Sequence, residues 1–427
     1  MPIALVLFLL TYALMLALSK IRHLVALFSA AAFVLLGILP IDKILPAIDW
    51  NILMMLAGTM GIVALFIDSG MPHRLADLLL NKTPNVCWAL VALSLFAGVI
   101  SAFVDNVATT LIVAPVGLAI AARIGVSPVA VLISIAVSSN LQGAATLVGD
   151  TTSILLGGYA GMNFLDFFWN EGRPGIFWAV ELGAVATVPV LYLLFRKYRQ
   201  PLRTEKPAEV SDYFPSVLLV GVVVGLIFAS FVPEGVLPAA IKTHLNGIIC
   251  VALCAVGVLR GLLSGKGKDI ARRTLEGVDP VTLLLLASLF VVIAGITEAG
   301  VVTAIGDLFV RISGGSVFMA YTLIVFASVL FSAFIDNIPY VMTMLPVVQN
   351  MAMAFGIPPM LFFLGLLTGA TLGGNFTPIG ASANITAIGM LRREGHSVSV
   401  GQFMRIGVPF SLVAVLVGYL MIWFIWS

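Results

Sequence analysis

The sequence predicts an all-α polytopic membrane protein, and three observations carry that prediction. Hydrophobic residues make up 61% of the 427 residues and charged residues only 10%, a balance that no water-soluble domain of this length needs. Apolar stretches approaching the about 20 residues of a bilayer-crossing helix recur along the whole chain. One hexapeptide also occurs twice in apolar surroundings, as Ser101-Ala102-Phe103-Val104-Asp105-Asn106 and Ser332-Ala333-Phe334-Ile335-Asp336-Asn337. An aspartate near the bilayer centre costs roughly 2.5–3.5 kcal/mol on insertion scales. Two of them at equivalent places point to one ion or substrate site built twice.

The expected elements follow in chain order. A first span covers 2–19, entered from Met1-Pro2-Ile3-Ala4 without a basic leader, which favours a retained span over a cleaved signal peptide. Spans at 24–40 and 50–68 come next. The stretch 85–122 carries the first hexapeptide near its middle and is long enough for two short legs meeting at a polar tip. It reads as a re-entrant hairpin, because irregular backbone at membrane depth is tolerated only inside protein or beside a cavity. An interrupted span at 128–163 and a span at 176–195 complete this half. Two connecting spans, 214–232 and 236–259, are bounded by the polar breaks Arg196–Tyr213 and Arg260–Asp279. The second half holds a span at 280–298, a hairpin at 316–354, an interrupted span at 357–386 and a last span at 402–426. The stretches 69–82 and 299–313 mix apolar and charged residues and read as interfacial amphipathic helices.

That layout has about ten spans and two re-entrant helical hairpins. It divides into an N-terminal span (1–23), a first repeat (24–195), cytoplasmic linkers with two connecting spans (196–279) and a second repeat (280–427). Charge placement tests it. Lys20, Arg22, Arg74, Lys82, Arg123, the run from Arg196 to Lys206, the run from Arg260 to Arg273, Arg392, Arg393 and Arg405 fall on one side. Only Lys43, Arg173, Lys242 and Arg311 of the 22 basic residues fall on the other. The positive-inside rule makes the basic side cytoplasmic and sets both termini outside, in the cytoplasmic (inner) membrane. Reading either hairpin as a single span breaks this separation.

The repeat extends beyond the hexapeptide. Asp105 and Asp336 stand 231 residues apart, as do Pro115 and Pro346, Thr146 and Thr377, and Gly149 and Gly380. Upstream, Asp49 and Asp279, Gly70 and Gly300, and Asp77 and Asp307 stand 230 apart. With the charge-derived topology the first hairpin enters from the cytoplasm and the second from outside, so the halves are inverted repeats, as in many secondary transporters.

Each half supplies two polar interruptions. The tips offer Asp105, Asn106, Thr109 and Thr110 in one half and Asp336, Asn337 and Pro339 in the other. The interrupted spans offer Asn140, Thr146 and Asp150, and Asn375, Thr377, Ser382 and Asn384. Glycine, proline and short hydroxyl or amide side chains disfavour helix there, freeing carbonyls for cations and helix N-termini for anions. Plain alternatives stand beside these roles. Amides and hydroxyls in membrane helices often only join helices. Asp105 and Asp336 are otherwise caps at the hairpin tips, and Asp150, aligned with Ala381, is either a third site carboxylate or a cap. Asp68 and Glu298 read as solvated carboxylates at span ends, and His396 as a surface residue of a cytoplasmic turn. Cys87, Cys250 and Cys254 show no disulfide or zinc pattern, and Cys250 and Cys254 share a helix face as ordinary packing residues. No nucleotide-binding loop, catalytic triad or metal motif occurs, so neither catalysis, a cofactor nor nucleic acid is expected.

Ser-Ala-Phe-Val-Asp-Asn-Val-Ala-Thr-Thr, Ser-Ala-Phe-Ile-Asp-Asn-Ile-Pro and Gly374-Asn375-Phe376-Thr377-Pro378-Ile379-Gly380-Ala381-Ser382-Ala383-Asn384 resemble the ion transporter superfamily. Within it they are most similar to the branch of arsenite permeases, the melanosomal P protein and NhaD-type sodium/proton antiporters. The resemblance implies a scaffold domain, a transport domain moving elevator-fashion, a homodimer, and a site formed by hairpin tips and broken spans together. The branch's Gly-Asp-Pro-Pro-Asn is recognisable as Gly149-Asp150-Thr151-Thr152-Ser153, with both prolines and the asparagine changed. Where related symporters carry Ser-Asn-Thr sodium motifs, this chain has Asp105-Asn106 and Asp336-Asn337, which favours proton coupling at the two aspartates.

The function expected is therefore proton-coupled efflux of arsenite or antimonite, which as neutral hydroxides need no cationic clamp. No basic residue is expected inside the core. Sodium/proton antiport is the alternative, since two aspartates among carbonyls and hydroxyls suit a hard cation equally well. Sodium-coupled uptake of small carboxylates is a third reading. Energy would come from an ion gradient or a partner ATPase.

Overall fold

Each hexapeptide divides a long apolar stretch into two helices, and its aspartate makes the division. This is seen in a computed structural model, which describes residues 1–201, 207–233, 235–263 and 267–427. The chain opens with α1 (Pro2–Ala17), α2 (Arg22–Leu35) and a short α3 (Ile44–Ala47). A first set follows: α4 (Trp50–Asp68), α5 (Met71–Leu80), α6 (Val86–Ser101), α7 (Asn106–Arg123), α8 (Val129–Gly143), α9 (Thr151–Ala160) and α10 (Ile176–Phe195). The connecting region holds α11 (Phe214–Ser230), a short α12 (Ala239–Thr243), α13 (Leu245–Leu263) and α14 (Gly267–Gly277). The second set is α15 (Pro280–Glu298), α16 (Val301–Ile312), α17 (Val317–Ser332), α18 (Asn337–Phe355), α19 (Met360–Gly373), α20 (Ser382–Arg393) and α21 (Val400–Trp426).

The two sets match element for element, and the same capping chemistry starts the matching helices. Asp49 and Asp279 accept backbone N–H bonds at the starts of α4 and α15. Asn85 and Ser316 do so for α6 and α17, and Asp105 and Asp336 for α7 and α18. Each cap satisfies a donor that would otherwise be orphaned at the helix start. Gly70 and Gly300 enter α5 and α16 at φ 75° and 74°, a left-handed turn that favours glycine.

Seven of these helices are long and apolar enough to cross a membrane among the described residues, or up to eight if the bent pair α16–α17 counts as one span. The remaining expected crossings are made of shorter apolar helices: α1, α2, α11 and the interrupted pairs α8–α9 and α19–α20. The span expected at 236–259 is shifted: Pro238 starts the separate turn α12, and the long helix runs from Leu245 to Leu263. Arg203, Lys206 and Lys266, expected on the cytoplasmic side, lie outside the described residues.

Packing separates the helices into two groups. In one, α4 lies against α11, α13 and α14, and α15 lies against α1 and α2. In the other, α6, α7, α10, α20 and α21 surround α8, while α17, α18 and α21 surround α19. Nearly every residue of α8 and α19 is buried, which accounts for their all-round hydrophobicity. The groups meet where α4 touches α9 and α15 touches α18. Asp68 pairs with Arg273 and Glu298 with Lys43, both at partly exposed ends of α4 and α15.

α3, α14 and a β-hairpin were not expected. Between α9 and α10 a two-residue hairpin pairs Trp169 with Pro174 and Asn170 with Arg173. Arg173 donates to the Ile425 carbonyl at 2.8 Å and lies over the Trp426 ring, whose Nε1 donates to the Pro174 carbonyl at 3.1 Å. Together these bonds tie the hairpin to the end of α21. Trp426→Ala is expected to lower stability by about 1–2 kcal/mol, read as a lower unfolding midpoint in detergent.

Candidate functional site

The breaks in α6–α7 and α8–α9 lie against each other, and those in α17–α18 and α19–α20 do the same. Thr146 donates its hydroxyl to the Ala102 carbonyl, and Thr377 donates to the Ala333 carbonyl. Each hydroxyl in turn accepts from a nearby backbone N–H, of Val148 and Ile379, at 3.4 Å. The expected ligand threonines thus act as latches between tip and broken span. Glycine is required beside them for close approach. A Cβ on Gly149 would stand 2.5–2.7 Å from the carbonyl oxygens of Gly143, Ser101 and Ala102. One on Gly380 would stand 2.7–2.8 Å from those of Gly374, Ala333 and Ser332.

A chain of buried amides joins the halves. Asn106 Nδ2 donates to Asn140 Oδ1 at 2.9 Å. Asn140 Nδ2 donates to the Thr371 carbonyl at 2.6 Å and to Asn375 Oδ1 at 3.1 Å. Asn375 Nδ2 reaches back to the Val137 carbonyl at 3.1 Å. Asn140 and Thr371 stand 231 residues apart, so they are equivalent positions in contact, as expected close to a two-fold relation between the halves. Asn384 Nδ2 donates to the carbonyls of Gly374 and Thr377 at 2.9 and 3.2 Å. Thr109 donates to the Val104 carbonyl at 3.2 Å. Asn337 Nδ2 and Asn384 Oδ1 are buried and have no hydrogen-bond partner among the described residues, a condition that is uncommon and calls for a partner.

The carboxylates divide unequally. Asp105 caps α7 through Val107 and Ala108 at 3.0 and 3.2 Å. Asp150 is buried, accepts from the Thr152 hydroxyl at 2.8 Å and makes no side-chain cap. Asp105 and Asp150 line one cavity of about 20 Å³ with Thr59, Thr151 and an apolar wall that includes Leu56, Phe103 and Ile154. That is room for one water-sized particle.

In the second half Asp336 caps α18 through Ile338 at 3.1 Å, and Ser382 Oγ lies 3.5 Å from its Oδ2. Arg22 Nη1 pairs with the same oxygen. This corrects the expectation that no basic residue reaches the core. The physical reason is length. With 16 and 14 residues, α1 and α2 span only about 24 and 21 Å against a hydrocarbon core of about 30 Å. Helices that short cannot hold both of their ends at the surfaces of such a core.

Three residues beside the tips were not singled out as site candidates from the sequence. Thr59 stands in Gly58-Thr59-Met60-Gly61, a polar break in an apolar run, which is a readable signal. Thr151 falls within Gly149-Asp150-Thr151-Thr152-Ser153. For Arg22 the only signal was the shortness of the flanking spans.

A family model described as "Citrate transporter" matches residues 6–364 and 247–427. The chain belongs to that family. An uncharacterised transporter of Mycobacterium tuberculosis is 33% identical over 95% of this chain and 94% of its own length. The human P protein is 26% identical over 92% of this chain and 56% of its own, in keeping with the branch read from the motifs. The fold is similar to that of the YdaH transporter of Alcanivorax borkumensis, with a TM-score of 0.61, 13% identity, and coverage of 89% of this chain and 86% of that one. This chain is a multi-pass membrane protein and a secondary transporter of the citrate transporter family.

Gly149→Ala and Gly380→Ala are each expected to destabilise the protein by about 1–3 kcal/mol, since backbone oxygens cannot retreat as a side chain would. Asn140→Ala should cost a similar amount, about 1–3 kcal/mol, by stranding the Asn106 and Asn375 amides. Thermal unfolding in detergent reads all three.

Proposed function

We propose that this transporter is driven by a cation, proton or sodium, carried between Asp105 and Asp150. The observation that carries the reading is their shared cavity of about 20 Å³, lined also by the Thr59 and Thr151 residues. Two carboxylates and two hydroxyl-bearing side chains are hard oxygen ligands, and a cavity of that size suits a single dehydrated ion or a proton exchanged with water. A larger cavity of about 640 Å³ lies one helical turn away and supports an access route. Ile52 and Leu155 line the large cavity, and Leu56 and Ile154 line the small one.

Efflux of arsenite or antimonite is the first substrate reading. The central amides are neutral, and Arg22, the basic side chain paired at a hairpin tip, is already matched by Asp336. A neutral hydroxide can be held by the unpaired Asn337 donor and Asn384 acceptor. Citrate is the second, favoured by the description of the matching family. A citrate anion approaching Asp105 and Asp150 meets like charge, so this reading requires neutralising cations to travel with it. The tips and broken spans form the moving unit in either case, set in a scaffold of α1, α2, α4, α11, α13 and α15. The halves are inverted, with both termini outside the cytoplasmic membrane.

Proteoliposomes given arsenite, antimonite or citrate under imposed pH and sodium gradients decide substrate and ion together. Asp105→Asn and Asp150→Asn are each expected to lower gradient-driven transport more than about tenfold. Transport unchanged in both variants would sink the coupling role. For topology, a cysteine replacing Lys43 should react with an impermeant maleimide from outside, and one replacing Arg196 only after the membrane is opened.

A further inference from the structure

We infer that Arg22 is a tethered cation, filling in the second half the place that the mobile coupling ion takes in the first. The inference rests on the cation-coupled reading and deepens it by setting the number of coupling ions per chain at one.

Equivalent positions carry different chemistry. Asp105 matches Asp336, but Asp150 matches Ala381 and Thr59 matches Leu289. The first half therefore has two carboxylates facing hydroxyl-bearing side chains, and no described basic side chain pairs with either carboxylate. The second half has one carboxylate with a guanidinium already bonded to it, and Ser382 beside the same oxygen. One negative and one fixed positive charge leave nothing for a mobile ion to neutralise. While the pair holds, the guanidinium occupies the carboxylate oxygen that a mobile ion would need.

Arg22 is held in register by its own hairpin. α2 packs on α15, and Tyr12 of α1 donates to the Pro339 carbonyl at 2.6 Å and also bonds Thr343. Both partners lie on α18, the leg that Asp336 caps. The side chains of Arg22 and Asp336 are 26% and 12% exposed, so water screens the pair only weakly. In the first half α11 and α13 lie on α4 much as α1 and α2 lie on α15, yet they bring no described cation to Asp105. The two aspartates, alike in sequence, are thereby divided between a mobile ion and a fixed one.

The test counts cation equivalents on the full-length protein in lipid nanodiscs. Protons taken up on acidification are counted in sodium-free buffer, and variants are compared with the wild type so that other groups cancel. Arg22→Gln should gain one equivalent, Arg22→Lys none, and Arg22→Gln/Asp336→Asn should return to the wild-type count. The double variant leaves no unpaired charge, so it remains informative where Arg22→Gln does not fold. A loss of one equivalent in the double variant, or no gain in folded Arg22→Gln, overturns the inference. The reading beneath it is judged separately, by whether Asp105→Asn loses an equivalent from the wild-type count.

Discussion

A helix broken inside a bilayer would expose backbone groups that lipid cannot satisfy, and the described residues contain four breaks between paired apolar helices. The solution is to set the breaks against one another. The Ala102 carbonyl at the first tip is bonded by Thr146 of the first broken span, and the Ala333 carbonyl at the second tip by Thr377. Gly149 and Gly380 let the chains come close enough for those bonds. The aspartates satisfy the N–H groups that open α7 and α18. Burial of α8 and α19, the amide chain and the carboxylate cavity all depend on this pairing of interruptions.

Between the two matching sets of helices the side chains differ. The latches, caps and glycines occur in both halves at constant offset, because both must solve the same backbone problem. The groups able to hold charge do not. Asp150 and Thr59 belong to the first half alone, and Arg22 comes to the second from α2, which precedes both sets of matching helices. Backbone demands thus preserve the symmetry while charge chemistry is free to break it. The plain and functional readings of Asp105 and Asp336 also turn out to be compatible. One carboxylate oxygen can cap a helix while the other faces a cavity or an arginine.

The Asn140–Thr371 contact shows how the halves are joined without a charged interface. Buried amides donate and accept at once, so three of them make a continuous path from Asn106 to Val137 with no ion to desolvate. Such a path is firm at the centre. Asn337 and Asn384 differ in keeping a polar atom without a partner among the described residues.

Much of this was legible in the sequence by itself. Apolar runs, the twin hexapeptides and the offsets of 230 and 231 determined the order of helices, the hairpins and the interruptions, because those features follow from local composition and period. The motifs determined the transporter family for the same reason. Only the tertiary structure decided what each polar residue meets. It turned Thr146 and Thr377 into latches, brought Thr59 from α4 to Asp105 and Asp150, and carried Arg22 across more than 300 residues of sequence to Asp336. No local pattern encodes which tip the turn between two short helices faces. That depends on how α1 and α2 stack on α15, a packing outcome written in no single segment.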